Sequence, residues 1–356
     1  MKQLAMKILL LIPIVIAMVI INLIVDPAHL FDSNSYAEKM VYIMQSGNSV
    51  AGASNYDDRI LQKKYVESIQ KSIDTIVIGS SRCMQISTAN YSKGSFFNNS
   101  VSDAILKDDI AIVQLYRENG LMPKQVIICA DPWLFNANYT QSRWKVLHTF
   151  YQKGISWLGI NDKVVSNIDL ESIQIEKYLE LISPAYLQNS LHFLEKYNKP
   201  DDLIYPDPAL DSKDIMKRSD GSISYDESFR NLDTQTVRNL VMSNMRDSET
   251  SLEGFSQLDS QLQKEFELLV VKLKKEGVKV TIFLSPYHPL YYSYLTSTDK
   301  YKTVMQVQNY LQDFATKQSI QIIGSYNPND IPCSEDEFYD QKHPKPVCIL
   351  KIIANQ

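Results

Sequence analysis

The sequence predicts an α/β protein built on a parallel sheet, with an apolar helix ahead of it. Short β-branched runs recur in "TIVIGS", "KQVIICADPW", "GVKVTIFLSPYHP" and "SIQIIGSY", each ending in turn or polar residues, as strands do. Helix-like stretches alternate with several of them, the rhythm of parallel strands joined by crossover helices. Residues 8–25, "ILLLIPIVIAMVIINLIV", carry no charge and have about the length that crosses a hydrocarbon core as a helix.

Lys2 and Lys7 precede that run and Asp26 closes it, so the positive-inside tendency keeps the N-terminus cytoplasmic and exports the rest. A cleaved signal peptide is the rival reading, but "VDPAHLF" offers no small-x-small cleavage site, and a single-pass cell-membrane anchor is expected instead. Pro13 is compatible with a membrane helix, where neighbouring groups satisfy the freed backbone. Residues 1–30 thus read as anchor and 31–72 as a helical linker containing "DDRILQKKYVESIQKSI". Residues 73–135 hold the first part of the α/β domain. The stretch 136–255 loses the rhythm, is rich in Tyr, Asn, Asp and Ser, and reads as an insertion or cap. Residues 256–356 resume the domain with a helix over 258–277, for which Gly277 is the expected C-cap.

A composition of 44% hydrophobic and 22% charged residues is that of a globular protein. The net charge of −5 with scattered Lys and Arg excludes the basic stripe that holds nucleic-acid phosphates. Cys83, Cys129, Cys333 and Cys348 are too few and dispersed for a disulfide scaffold and show no CxxC or zinc spacing. Cys333 and Cys348 either pair in an oxidising exterior or remain buried thiols.

In parallel sheets the ligand crevice lies beyond the carboxyl ends of the strands. Gly79, Ser80, Ser81, Asp131, the turn over 285–289 and Ser325 are therefore expected on one rim. A serine becomes a nucleophile when a base takes its proton and a carboxylate orients that base. His343 has Asp340 three residues before it in "FYDQKHPKP", after the last strand-like run, with Phe338 and Tyr339 as an apolar footing and Pro344 and Pro346 fixing the backbone. Ser81 suits a helix N-cap as well as a nucleophile, and His343 suits a surface pair with Asp340. Arg82 suits an anionic substrate group or an ion pair, and His288 in "SPYHP" a cleft wall or a turn. Asp131 and Trp133 suit a sugar ring, or Trp133 the core. "YHPLYYSYL" suits an aromatic platform or a buried helix face.

In this order "IVIGSSR", "FFNNSVSDA", "ICADPWLFN", "FLSPYHP" and "DQKH" resemble the SGNH/GDSL hydrolase superfamily, and within it the membrane-anchored cell-envelope acyl-transfer proteins similar to DltD and the alginate O-acetylation proteins. The likeness covers about 74–133 and 277–343 and leaves the insertion unmatched. It implies a flavodoxin-like three-layer α/β/α fold, with Ser81 as nucleophile, Ser80 as fallback, and Asp340 and His343 as acid and base. It also implies an acyl-serine intermediate, no metal or organic cofactor, a polysaccharide or teichoic acid as acceptor, and a membrane-bound O-acyltransferase as partner. The function expected is acetyl or D-alanyl transfer; a surface esterase or deacetylase, or a non-catalytic polymer- or partner-binding protein, are the alternatives. The sequence departs from the family where Asp103 replaces the second-block glycine and Asp131 the third-block asparagine. An anion facing an oxyanion opposes catalysis, since each donor aimed there is worth about 3 kcal/mol. The donors expected are therefore the Ser81 N–H and Asn99, with Asn98 behind them.

Overall fold

The computed structural model describes residues 2–26, 31, 33–52, 56–91, 94–160, 178–196, 212–247 and 249–354. In chain order these form α1 (Lys2–Val25), α2 (Ser33–Gln45), β1 (Val50–Ala51), α3 (Asp58–Ser68), β2 (Thr75–Ile78), β3 (Phe96–Asn98), α4 (Leu106–Glu118) and β4 (Gln125–Cys129). The segment after β4 contributes α5 (His148–Leu158), α6 (Pro184–Lys196), β5 (Met216–Lys217), β6 (Ile223–Ser224) and α7 (Thr234–Asn244). The strand and helix rhythm resumes with α8 (Ser260–Lys275), β7 (Lys279–Leu284), α9 (Pro289–Ser297), α10 (Thr303–Gln318), β8 (Gln321–Gly324) and α11 (Pro346–Ala354).

Five strands make one parallel sheet in the order β3-β2-β4-β7-β8. Numbered as the chain visits them, this is 2-1-3-4-5, so the connections diverge on either side of β2 and open a crevice at its carboxyl end. Alternation along each strand divides the core in two. Ile76, Ile78, Val126, Ile128, Val280 and Ile282 join one apolar cluster with residues of α4, α8 and α10. Val77, Ile127, Cys129, Phe283 and Ile323 face the other way, onto Phe338 and onto Cys348, Ile349 and Ile352 of α11. A sheet covered on both faces needs apolar residues at successive positions, which is why these strands read as unbroken β-branched runs. Asp259 caps α8 through the N–H groups of Gln261 and Leu262, and Gly277 takes φ 81° just beyond its end.

A second, antiparallel sheet joins β1, β5 and β6. It binds the inserted segment to the main domain: Ile223 N–H donates to Met84 O and Asn98 N–H to Asp220 O. Among the described residues of the insertion, α5 packs on α4, and residues 212–247 approach the loop carrying Asp340 and His343. Cys83 pairs with Cys129 and Cys333 with Cys348; the first bridge had no signature in the sequence. Among the described residues no helix is long and apolar enough to cross a membrane.

Candidate active site

The turn after β2 is shaped by close packing. Gly79 has φ 137°, and a Cβ there would lie 2.5 Å from Cys129 Cβ, so no other residue fits between the strand and the serines. Ser80 then caps the 3-10 turn Ser81–Cys83: its Oγ accepts from Arg82 N–H and donates to Asp131 Oδ2 at 2.5 Å. Ser80 is buried and committed; Ser81 is partly exposed. The two hydroxyls therefore divide, one holding the turn and the other standing at its open side.

Ser81 Oγ lies 2.9 Å from His343 Nε2, and His343 Nδ1 lies 2.7 Å from Asp340 Oδ2. The Asp-x-x-His spacing works because of the local backbone. Asp340 Oδ1 accepts from the N–H groups of Lys342 and His343 at 2.8 and 2.9 Å, which leaves Oδ2 for the ring. Tyr339 N–H donates to His343 O, and Phe338 bridges Pro344, so the loop closes on itself. An ionised carboxylate only accepts; it places the proton on Nδ1 and leaves Nε2 to accept from the serine. Burial alone would raise the Asp340 carboxyl, but the facing His343 ring and the donated hydrogen bonds outweigh it and hold the group down at about 2. The same spacing occurs at Asp26 and His29, where Asp26 instead accepts from Tyr186 OH and Phe31 N–H and His29 lies outside the described residues.

Arg82, expected among the substrate-binding residues, is fully buried and serves the framework. Its Nη1 pairs with Asp131 Oδ1 at 2.7 Å, its Nε donates to Lys342 O at 3.1 Å, and its Nη2 donates to Ser285 O and Pro286 O. The guanidinium stacks 4.0 Å from the Tyr287 ring. One side chain thus ties the serine turn, the ends of β4 and β7 and the histidine loop together. Asp131, also expected to meet substrate, is spent on Ser80 and Arg82, and the guanidinium neutralises its charge. His288, the third such residue, is buried: its Nδ1 accepts from Leu290 N–H to cap α9, its backbone N–H donates to Gln341 O, and burial lowers its pKa. All three residues are buried.

The expected oxyanion donor Asn99 is likewise spent within the core, where its Nδ2 donates to Gln62 Oε1 and its Oδ1 accepts from Tyr116 OH. Asn98 donates to Cys83 O and Ile86 O, bracing the far side of the serine turn. Asp103, in the place of the family glycine, adopts φ 51° and pairs with Arg143. The Ser81 N–H remains as the donor that the turn itself supplies, since the first N–H groups of a helical turn have no partner within it. Trp133 is core: it is buried and its Nε1 donates to Ala104 O. Tyr287, Tyr291 and Leu295 form a buried face of the aromatic run.

Residues the sequence reading missed come from the insertion. Tyr225 lies edge-on to His343 and to Tyr339, with ring centroids 6.1 and 5.0 Å apart, and Phe229 stacks on Tyr339 at 5.5 Å. Together they wall one side of the histidine. Asn244 donates to Gln341 Oε1 and Lys342 pairs with Glu249, fastening the loop from the same side. A cavity of about 310 Å³ lined by Trp133, Tyr139, Trp144 and Tyr151 includes none of Ser81, Asp340 or His343. Among the described residues no group of His, Cys, Asp and Glu could hold a metal ion.

The site is a serine, histidine and aspartate joined by hydrogen bonds at the rim of a parallel α/β sheet. No family model matches the chain, and no curated protein matches it.

Proposed function

We propose that this chain is an SGNH-type serine acyltransferase or esterase with a flavodoxin-like domain, anchored in the cell membrane by residues 8–25 and acting outside it on a cell-envelope polymer. The observation that carries the chemistry is the continuous chain from Ser81 Oγ through His343 to Asp340. Ser81 attacks an acyl carbonyl as His343 Nε2 takes its proton, and Asp340 holds the Nδ1 proton and stabilises the imidazolium. The tetrahedral adduct collapses to an acyl-serine as the imidazolium protonates the leaving group. An acceptor hydroxyl, or water, then attacks the acyl-serine with the same histidine as base, releasing product and restoring the hydroxyl.

Two disulfides support an oxidising compartment. The acceptor, a polysaccharide or teichoic acid, and a membrane-bound O-acyltransferase that delivers acetyl or D-alanyl groups follow from the resemblance. Transfer and hydrolysis share these residues and differ in whether water is excluded at the second step. The test is turnover of p-nitrophenyl acetate by the full chain in detergent, with and without acceptor polymer. Ser81→Ala and His343→Ala are each expected to lower kcat by about 10³-fold or more, and an acetylated polymer marks transfer. Turnover that survives both substitutions would reject the proposal.

A further inference from the structure

The insertion carries a second apolar surface, distant in sequence from α1 but fastened to it. Asn22, the polar residue inside the apolar run, is fully buried against the segment 178–196. Its Nδ2 donates to Leu181 O at 3.0 Å and its Oδ1 accepts from Ser190 Oγ at 3.0 Å. One turn on, Asp26 Oδ1 accepts from Tyr186 OH at 2.7 Å. Both polar side chains near the end of α1 are therefore satisfied by protein, which is the requirement for such groups beside hydrocarbon.

Large apolar residues are exposed on both elements of this contact, with Glu180, Gln188 and Asn189 exposed among them. Ile16, Ile20 and Ile24 of α1 are 53%, 49% and 74% exposed, while Leu191 and Leu194 of α6 and Tyr178 ahead of it are 47%, 44% and 58% exposed. Scattered apolar residues are normal on a protein surface, but a contiguous patch of large ones marks an interface. The helix α6 and the turn before it pack directly on α1, and Tyr178 is a residue type that settles at the boundary between lipid and water.

We infer that α6 and the turn before it lie in the outer lipid interface beside α1, as a second, non-spanning membrane contact made by the insertion. The occupant of this face is the phospholipid bilayer. The inference rests on the reading of residues 8–25 as an anchor. Two separated contacts would fix the orientation of the domain to the membrane, where a single helix followed by a linker would let it rotate.

The test places a nitroxide at Leu194→Cys, Ile16→Cys or Lys275→Cys in the full chain, reconstituted in vesicles of phosphatidylcholine and phosphatidylglycerol. The described cysteines are all disulfide-bonded, so the introduced thiol is the one labelled. All three positions are exposed and tolerate a label without disturbing the core. The expected result is a higher ratio of oxygen to aqueous nickel-chelate accessibility at 194 and 16 than at 275, with 16 the deeper. Lipid exposure at 16 with an aqueous signal at 194 would overturn this inference and leave the anchor standing. Aqueous signals at both would overturn the anchor reading as well. Shielding of 194 from both reagents would show protein on that face and also overturn the inference.

Discussion

At the scale of single residues, position beside Ser81 does not decide role; the number of partners does. Arg82 and Asp131 form a buried pair beneath the serine turn, and removing one partner of such a pair strands the other charge. Asp131→Ala is expected to destabilise the fold by about 3–5 kcal/mol, measured by denaturant unfolding; a loss under about 1 kcal/mol would contradict this role. Two carboxyls give opposite pH dependences. Asp340 is held at about 2, so its contribution is complete above the unfolded value of about 3.9 and is lost as pH falls through about 2. Asp109 of α4 is buried with neither oxygen bonded, and burial, with Asp108 and Asp131 nearby, pushes its carboxyl well up. Its folded pKa exceeds the unfolded one, so its ionisation costs stability as pH rises above about 4. Asp109→Asn is expected to gain stability over wild type as pH rises from 4 to 8, read from unfolding at each pH; a gain independent of pH would contradict the assignment.

At the scale of elements, what was legible in the sequence was what is local. Gly79, Ser80 and Ser81 follow β2 directly, and the Asp340 to His343 spacing is closed by two backbone N–H groups within the same loop, so each could be read from a few consecutive residues. β4 and β7 announced themselves because a doubly covered strand shows apolar residues in succession, and β8, half-buried at the sheet edge, through Ile322 and Ile323. β3 and the two-residue strands β1, β5 and β6 are too short for a periodic signal and exist through their pairing. His288 caps α9 through Leu290, two residues on, in keeping with the turn reading, whereas the roles of Asn99 and Arg82 are set by Gln62 and Asp131, which the chain brings near only on folding. The Cys83–Cys129 bridge belongs to this class. It spans 46 residues, for which loop closure suggests about 4 kcal/mol of stabilisation. Replacing both cysteines by alanine is expected to lower unfolding free energy by about 2–5 kcal/mol and to reduce turnover, since Cys83 ends the turn that begins at Ser81. Unchanged stability and turnover would show that the bridge is dispensable.

At the scale of the whole molecule, the sheet order sets where chemistry can occur. The chain leaves β2 first for β3 and then for β4 on its other side, and the crevice this opens receives the serine turn from one strand and Asp131 from the next. The histidine arrives from the far end of the sequence, on a loop pinned by Arg82 from below and by Asn244 and Glu249 of the insertion from the side. Among its described residues, the insertion reaches the histidine loop through Asn244 and Glu249, α1 through residues 178–196, and α4 through α5. The central claim is that Ser81, activated by His343, is the nucleophile. The most direct measurement is intact-mass and peptide mapping of the full chain after treatment with a fluorophosphonate. The account predicts one adduct, on Ser81, absent in Ser81→Ala and strongly slowed in His343→Ala. An adduct on Ser80, or labelling of Ser81 at the same rate without His343, would contradict it.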